Sequence, residues 1–268
     1  MVCRKNGIMR RLTVLSFSPT GGTEKVAGVL VSALLGKCDE IEENSFVDLT
    51  DAMADFAAVA LDAETLAIIA VPSYAGRVPA VAAKRLAAVS GNGAKAVLVS
   101  VYGNRAYEDT LVELEDVAES AGFRVTAAVA AVAEHSIVRR YGFGRPDMDD
   151  IKTLNGYADA IAEKLSCGDE TKPDMPGSRP YRKSGKVGLV PKPGRKCAGC
   201  GLCARICPVQ AIDVDDVRKV DDERCISCMR CVAKCPKRAR RISLVKRYFV
   251  NRMLKKVCSG RKETELFL

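Results

Sequence analysis

Twelve cysteines stand in a chain of 268 residues, and eight of them fall into two runs of one form. CAGCGLCARICP runs from Cys197 to Pro208, and CISCMRCVAKCP follows from Cys225 to Pro236, an offset of 28 residues. Each reads C-x2-C-x2-C-x3-C-P. Four thiolates packed this closely, twice over, suit cubane iron–sulfur clusters, which are held by four cysteines each. In this bacterial pattern the fourth cysteine of each run ligates the other cluster. The expected ligands of cluster I are therefore Cys197, Cys200, Cys203 and Cys235; those of cluster II are Cys225, Cys228, Cys231 and Cys207. Structural zinc favours C-x2-C pairs separated by a longer loop, whereas here three cysteines crowd into seven residues. Disulfides need an oxidising compartment. Met1 to Arg11 carries four basic residues and no apolar run of a secretory signal, so a cytoplasmic location is expected. Cys3, Cys38, Cys167 and Cys258 lie outside the runs and read as spare thiols.

The segment from Lys196 to about Ile242 resembles the two-cluster bacterial ferredoxins, with both motifs complete. Between the motifs, AIDVDDVRKVDDERC reads as strand, turn, strand, with Ile212, Val214, Val217 and Val220 available to face the clusters. So small a unit buries little apolar area, and metal binding would supply much of its folding free energy.

The rest of the chain must position this unit, and charge divides the two. Residues 1–167 hold 17 Lys+Arg against 22 Asp+Glu, while residues 168–268 hold 25 against 11, a net charge of +14. The stretch 168–195 is rich in Pro and Gly and reads as a linker. As a flexible coil it would span about 30 Å, enough for the clusters to sit against the first domain. Residues 1–167 alternate strand and helix signals. Arg11–Phe17, Leu66–Val71, Ala94–Val101 and Val125–Ala133 are apolar runs of the kind found in buried parallel strands, and Ser45–Leu49 is a weaker one. Thr23–Leu35, Tyr107–Ala121 and Met148–Leu165 read as helices, the first two with an apolar face at helical spacing. The expected architecture is a doubly wound, five-stranded parallel sheet followed by a small α+β unit. In such sheets ligands bind beyond the carboxyl ends of the strands.

The loop after the first strand, FSPTGGTEKVA, places Ser18, Thr20, Gly21, Gly22 and Thr23 at the start of a helix. Hydroxyls and backbone N–H groups there favour an anion. The loop lacks both the triphosphatase G-K-[ST] and the G-x-G-x-x-G dinucleotide fingerprint, so a terminal monophosphate suits it; an ordinary capped turn is the alternative. It resembles the S-x-T-G-[NG]-T phosphate loop of flavodoxins. Together with the cluster motifs, the whole chain is similar to the flavodoxin–ferredoxin fusion proteins. The resemblance implies FMN, its phosphate on Ser18, Thr20, Gly21, Gly22 and Thr23. Its ring would then lie against Pro72, Ser73, Tyr74, Ala75 and Gly76 of VPSYAGRVP, and Tyr102, Gly103 and Asn104 of VYGNRAYED. Gly22 stands where most flavodoxins have Asn, and without Trp an aromatic contact to the ring would fall to Tyr74 or Tyr102.

His135, the single histidine, follows the fifth strand and stands either near the flavin or as a satisfied structural residue. Asp39 to Glu43 reads as a solvated charge run. The basic tail, 243–268, continues from Ile242 an apolar stripe of Val245, Phe249, Met253 and Val257, expected to dock back onto the protein, with peripheral contact to an anionic membrane as the alternative. No nucleic-acid motif accompanies the charge, no apolar run is long enough to span a membrane, and a homodimer is left open. The functional expectation is an electron-transfer iron–sulfur flavoprotein with an external redox partner, protein or small molecule. The alternatives are a flavin-dependent reductase, with His135, Arg105 and the Arg139–Arg140 pair orienting its substrate, and an FMN-free redox-sensing module.

Overall fold

Runs that are apolar on both faces form the central strands. In the computed structural model, which describes residues 9–38, 40–183, 185 and 187–268, β1 is Arg11–Ser16, β3 Thr65–Pro72, β4 Lys95–Tyr102 and β5 Arg124–Val132. The polar run Glu43–Asp48 forms β2 at the edge, where its exposed residues meet water. The strands are parallel in the order β2-β1-β3-β4-β5, which is the flavodoxin-like order. Alternate residues feed two cores. Leu66, Ile68 and Ala70 of β3 pack beneath α1 (Gly22–Leu35) and α4 (Met148–Ser166). Ala67, Ile69 and Val71 face α2 (Ala80–Leu86) and α3 (Thr110–Ser120). Burial on both faces is what parallel strands require. Helix α4 begins with a capping box, Asp147 accepting from the Asp150 backbone and the Asp150 side chain accepting in return.

The cysteine-rich unit follows. Its two four-residue helices, α5 (Leu202–Arg205) and α6 (Arg230–Ala233), occupy equivalent places in the two motifs, and β6 (Lys192–Pro193) pairs antiparallel with β7 (Arg240–Arg241). Ile212 and Val220 are bridged, and Ile212 and Val217 are buried with Cys207. Val214 departs from expectation. It is 70% exposed, because the tight turn built on Asp213, which accepts from the N–H groups of Asp215 and Asp216, lifts it off the core.

The connecting segment is laid along α3 rather than left as a free coil. The Asp109 carboxylate accepts from Ser178 N (2.9 Å) and Arg182 N (2.6 Å). Arg179 pairs with Glu115 and Asp116, and Met175 is buried in the α2–α3 core. Arg85 of α2 crosses to the cysteine-rich unit, donating to Leu49 O and to Pro208 O, each at 2.6 Å.

The tail also returns to the first domain. Helix α7 (Leu244–Val257) docks through Val250 and Leu254, which pack on Val138, Tyr141 and Cys258. The expected stripe points the other way: Val245, Phe249, Met253 and Val257 are exposed, and only Ile242 is buried. Beyond α7, β8 (Glu265–Phe267) joins β5 antiparallel, making a sixth strand that the sequence pattern did not announce. Cys167 is disulfide-bonded, which corrects its reading as a spare thiol; Cys3 and Asp39 lie outside the described residues, and Cys258 is buried.

Candidate functional site

The eight motif cysteines gather around two small hollows. Cys197, Cys200, Cys203, Cys231 and Cys235 line one. Cys207, Cys225, Cys228 and Cys231 line the other. Cys231 lines both hollows, and the other seven cysteines divide between them in the grouping the motif leads one to expect. Each short helix starts from a left-handed residue, Gly201 (φ 73°) or Met229 (φ 62°), which turns the backbone so that flanking cysteines face inward. The fourth cysteines are matched in detail: Cys207 Sγ accepts from Ala211 N at 3.3 Å, and Cys235 Sγ from Ala239 N at 3.2 Å. Such N–H···S bonds tune cluster potentials.

Two further features fit a cluster. Arg230 Nε and Arg240 Nε are buried without a hydrogen-bond partner. Arg240 lines both hollows and Arg230 lines the second. A buried orphan donor needs an acceptor, and the sulfurs of an anionic cluster supply one. Among the described residues no three His, Cys, Asp or Glu side chains converge as they would on a single ion; the sulfurs stand around a space instead. Burial pushes the Cys228 and Cys231 thiols up to about 12, so metal loading must displace protons there.

A third cavity, of about 470 Å³, opens at the carboxyl ends of β1, β3, β4 and β5, within the range of small-molecule and cofactor sites. Pro19, Thr20, Gly22 and Thr23 line one end; Pro72, Ser73, Tyr74, Ala75, Tyr102 and Gly103 line its walls. Helix α1 carries no side-chain cap at Gly21 (φ 93°); Ser18 Oγ takes the Glu24 N–H, which leaves the Gly22 and Thr23 N–H groups to an anion. Gly22 has a packing reason: a Cβ there would stand 3.1 Å from the Ala133 Cβ.

Residues 196–239 match the family described as the 4Fe-4S dicluster domain. No curated protein sequence matches the chain. Solved structures similar to it include a flavodoxin from the domain Archaea, 14% identical, covering 58% of this chain and 98% of that one (TM-score 0.40). A Streptococcus pneumoniae TIGR4 flavodoxin is 22% identical over 57% of this chain and 97% of its own (TM-score 0.37). The rubredoxin oxygen:oxidoreductase of Desulfovibrio gigas is 16% identical over 59% of this chain and 37% of its own length (TM-score 0.42). The strand order and the motif match decide the architecture. The chain is a flavodoxin-like domain fused to a 4Fe–4S dicluster domain.

The dicluster domain closes the cavity in this fusion. Ile226 and Ser227, between Cys225 and Cys228, line it together with Val187 and with Val250, Met253 and Leu254 of α7. Ile226 also lines the second cysteine hollow, so one side chain forms the wall between the two spaces. Burial first, and the nearby Cys228 thiol second, hold the Tyr74 phenol well above its ordinary value. Sequence reasoning missed these walls. The C-x2-C spacing showed that Ile226 and Ser227 flank a cluster, but nothing local said that their outer side meets another domain.

Four expected flavin contacts meet other parts of the protein, and three of them, Ser18, Gly76 and Asn104, do not line the cavity. Ser18 is buried; its N–H donates to Thr50 Oγ1 (2.8 Å) and its Oγ accepts from Glu24 N (2.9 Å), so it braces the loop. Gly76 does not line the cavity; a Cβ on it would meet the Glu108 carboxylate at 1.9 Å. Asn104 is turned to the tail: its amide donates to Cys258 O and Gly260 O, each at 2.8 Å, and its Oδ1 accepts from Lys262 N at 3.2 Å. Tyr102 reaches the cavity wall, but its hydroxyl donates to Glu263 O (3.1 Å) and its ring packs on Tyr107. Tyr74 and Tyr102 both line the cavity, Tyr102 with its hydroxyl already engaged. Gly21 stands as the α1 cap and is not among the lining residues.

His135 lines the same cavity beside Arg105. Its Nδ1 accepts from Ile137 N (3.1 Å) and Val138 N (3.2 Å), which leaves the Nε2–H tautomer. Burial, with Arg105 adding to it, pushes the imidazole down to about 4, against a weaker backbone contribution in the other direction. It is a neutral donor, fixed in tautomer. Gly103 makes room for it, since a Cβ there would lie 2.8 Å from the ring.

Proposed function

We propose that the protein transfers electrons internally between FMN, held in the 470 Å³ cavity, and two [4Fe–4S] clusters held by the crossed cysteine sets. The observation that carries this reading is Ile226, which lines both the flavin cavity and the cluster II hollow. Bound FMN would exchange two electrons and each cluster one, so the set couples pair chemistry to single-electron chemistry. Thr20, Gly21, Gly22 and Thr23 would take the phosphate on hydroxyl and backbone donors, with Ser18 bracing them. Pro72–Ala75 and Tyr102–Gly103 would flank the ring, with His135 Nε2–H as a fixed donor beside it. Ile226 and Ser227 would stand between the flavin and cluster II, with Val250, Met253 and Leu254 of α7 along the same cavity.

The two hollows differ in exposure. Cys207 and Cys228 are buried, whereas Cys200 is exposed. Cluster I is therefore the outer station, where an external one-electron donor or acceptor meets the chain, and cluster II the inner one. With the cofactors bound, Cys200 and its set would hold the cluster facing a one-electron partner and Cys228 and its set the cluster facing the flavin, and two such single-electron exchanges would match one two-electron change of FMN.

The reductase reading is less well supported. Arg105 pairs with Glu108 and Arg139 with Glu134, while Arg140 stacks on Tyr141. Each arginine candidate for orienting a substrate is engaged with a neighbour of its own, and His135 alone of the set keeps a free donor, Nε2–H, in the cavity. Among the described residues no helix is long and apolar enough to cross a membrane. Anaerobically prepared protein should hold close to eight iron atoms and one FMN per chain. Stoichiometric zinc with little iron, or no flavin after reconstitution with FMN, would overturn the assignment.

A further inference from the structure

Arg230 lies between Met229 and Cys231 in α6, inside the second cysteine motif. It lines the cluster II hollow, where its Nε is buried without a partner. Its other end leaves the dicluster domain: Nη1 stands 3.4 Å from Ser18 O and 3.5 Å from Pro19 O, in the loop proposed to hold the flavin phosphate. That loop has no cation of its own. The one lysine beside it, Lys25, directs its Nζ to Pro146 O at 3.0 Å, and among the described residues no ion pair is recorded for Arg230. A single guanidinium thus lines the cluster II hollow at one end and meets the backbone of the proposed phosphate loop at the other.

We propose that Arg230 is a positioning residue that couples the two sites, Nε–H donating to a sulfur of cluster II while Nη1 steadies the phosphate loop. The proposal rests on the flavin and cluster assignments above. Arginine suits the task because its planar group offers separate donors in fixed directions, which a lysine ammonium does not. A cation beside cluster II favours its reduced, more negative form. Its partial charge also compensates the phosphate that the loop would otherwise hold on hydroxyls and backbone alone. Coupling of this kind is reciprocal: whatever flavin binding does to cluster II, reduction of cluster II does to flavin affinity.

The test is a redox titration of the full chain by electron paramagnetic resonance, with and without FMN, the two cluster signals assigned through Cys200→Ser. In the native protein, FMN loading should move the cluster II midpoint and leave cluster I in place. Arg230→Gln should keep native iron content, move the cluster II midpoint to more negative potential, abolish its response to FMN, and weaken FMN binding about tenfold. Arg230→Lys should recover part of the FMN affinity but not the cluster II response, since it lacks an Nε–H in that place. The bridge is wrong if FMN loading leaves both native midpoints unchanged, or if Arg230→Gln alters neither midpoint nor affinity. Should Arg230→Gln lose iron, the native comparison with and without flavin decides alone. A chain that binds both cofactors and transfers electrons regardless of Arg230 would sink the bridge only. Absence of FMN or iron would sink the functional reading itself.

Discussion

His135 illustrates how one residue reports on its surroundings. Its folded value of about 4 lies below the ordinary 6.5, so below pH 6.5 the unfolded chain takes up a proton that the folded one refuses. Stability is therefore intact at pH 7 and lost as pH falls from about 6.5 to about 4, by at most about 3 kcal/mol for this group. His135→Gln should flatten that part of the curve, measured as urea midpoints by circular dichroism at pH 7 and pH 5; an unchanged pH dependence would contradict the burial argument. Gly103→Ala acts on the same ring through space. Its methyl must displace the imidazole, at an expected cost of about 1–3 kcal/mol and a weaker FMN complex, and a native-like variant would show that the ring yields freely. The helix-start loop proposed for the phosphate and the clustering of the eight cysteines were legible in the sequence, because their signals are local: a spacing, a hydroxyl, a glycine. Asn104 and Tyr102 were not, because their partners lie more than 150 residues away at Cys258, Gly260 and Glu263, and side chains of this kind serve a flavin or a returning tail equally well.

Elements were legible in proportion to their length and burial. The four central strands and helices α1, α3 and α4 carry long apolar patterns, and the structure places them within a few residues of expectation. Helix α2 was missed; its seven residues, AVAAKRL, hold too few turns for a period to stand out. Strand β8 has three residues and takes its identity from the β5 edge it joins. The tail helix is the instructive case. A stripe at helical spacing shows that a face exists, but not which face the protein covers, and α7 docks by the narrower one. Leu254→Ala should therefore cost about 1–2 kcal/mol, whereas Phe249→Ser should stay within about 0.5 kcal/mol in thermal or urea unfolding. The reverse order would mean that the outer stripe is the docked one.

At the scale of the whole molecule, the dicluster domain is fastened twice, by the segment laid along α3 before it and by α7 and β8 after it. Electron exchange with the flavin should then need no domain excursion. After rapid reduction of the clusters, flavin reduction should follow at a rate independent of protein concentration, and a rate proportional to concentration would point to transfer between molecules. The net +14 of residues 168–268 should speed reaction with an acidic partner at low salt, with the advantage fading as ionic strength rises. The last strand has one more consequence, for the protein's behaviour as a colloid. Without β8, strand β5 would end the sheet with a row of open backbone N–H and C=O groups on a long, flat, apolar segment, the kind of edge that recruits a second sheet. The final residues are thus a built-in stopper. Removing 265–268 should leave cofactor content nearly unchanged in freshly prepared protein, while light scattering rises with time and concentration as bare edges find one another.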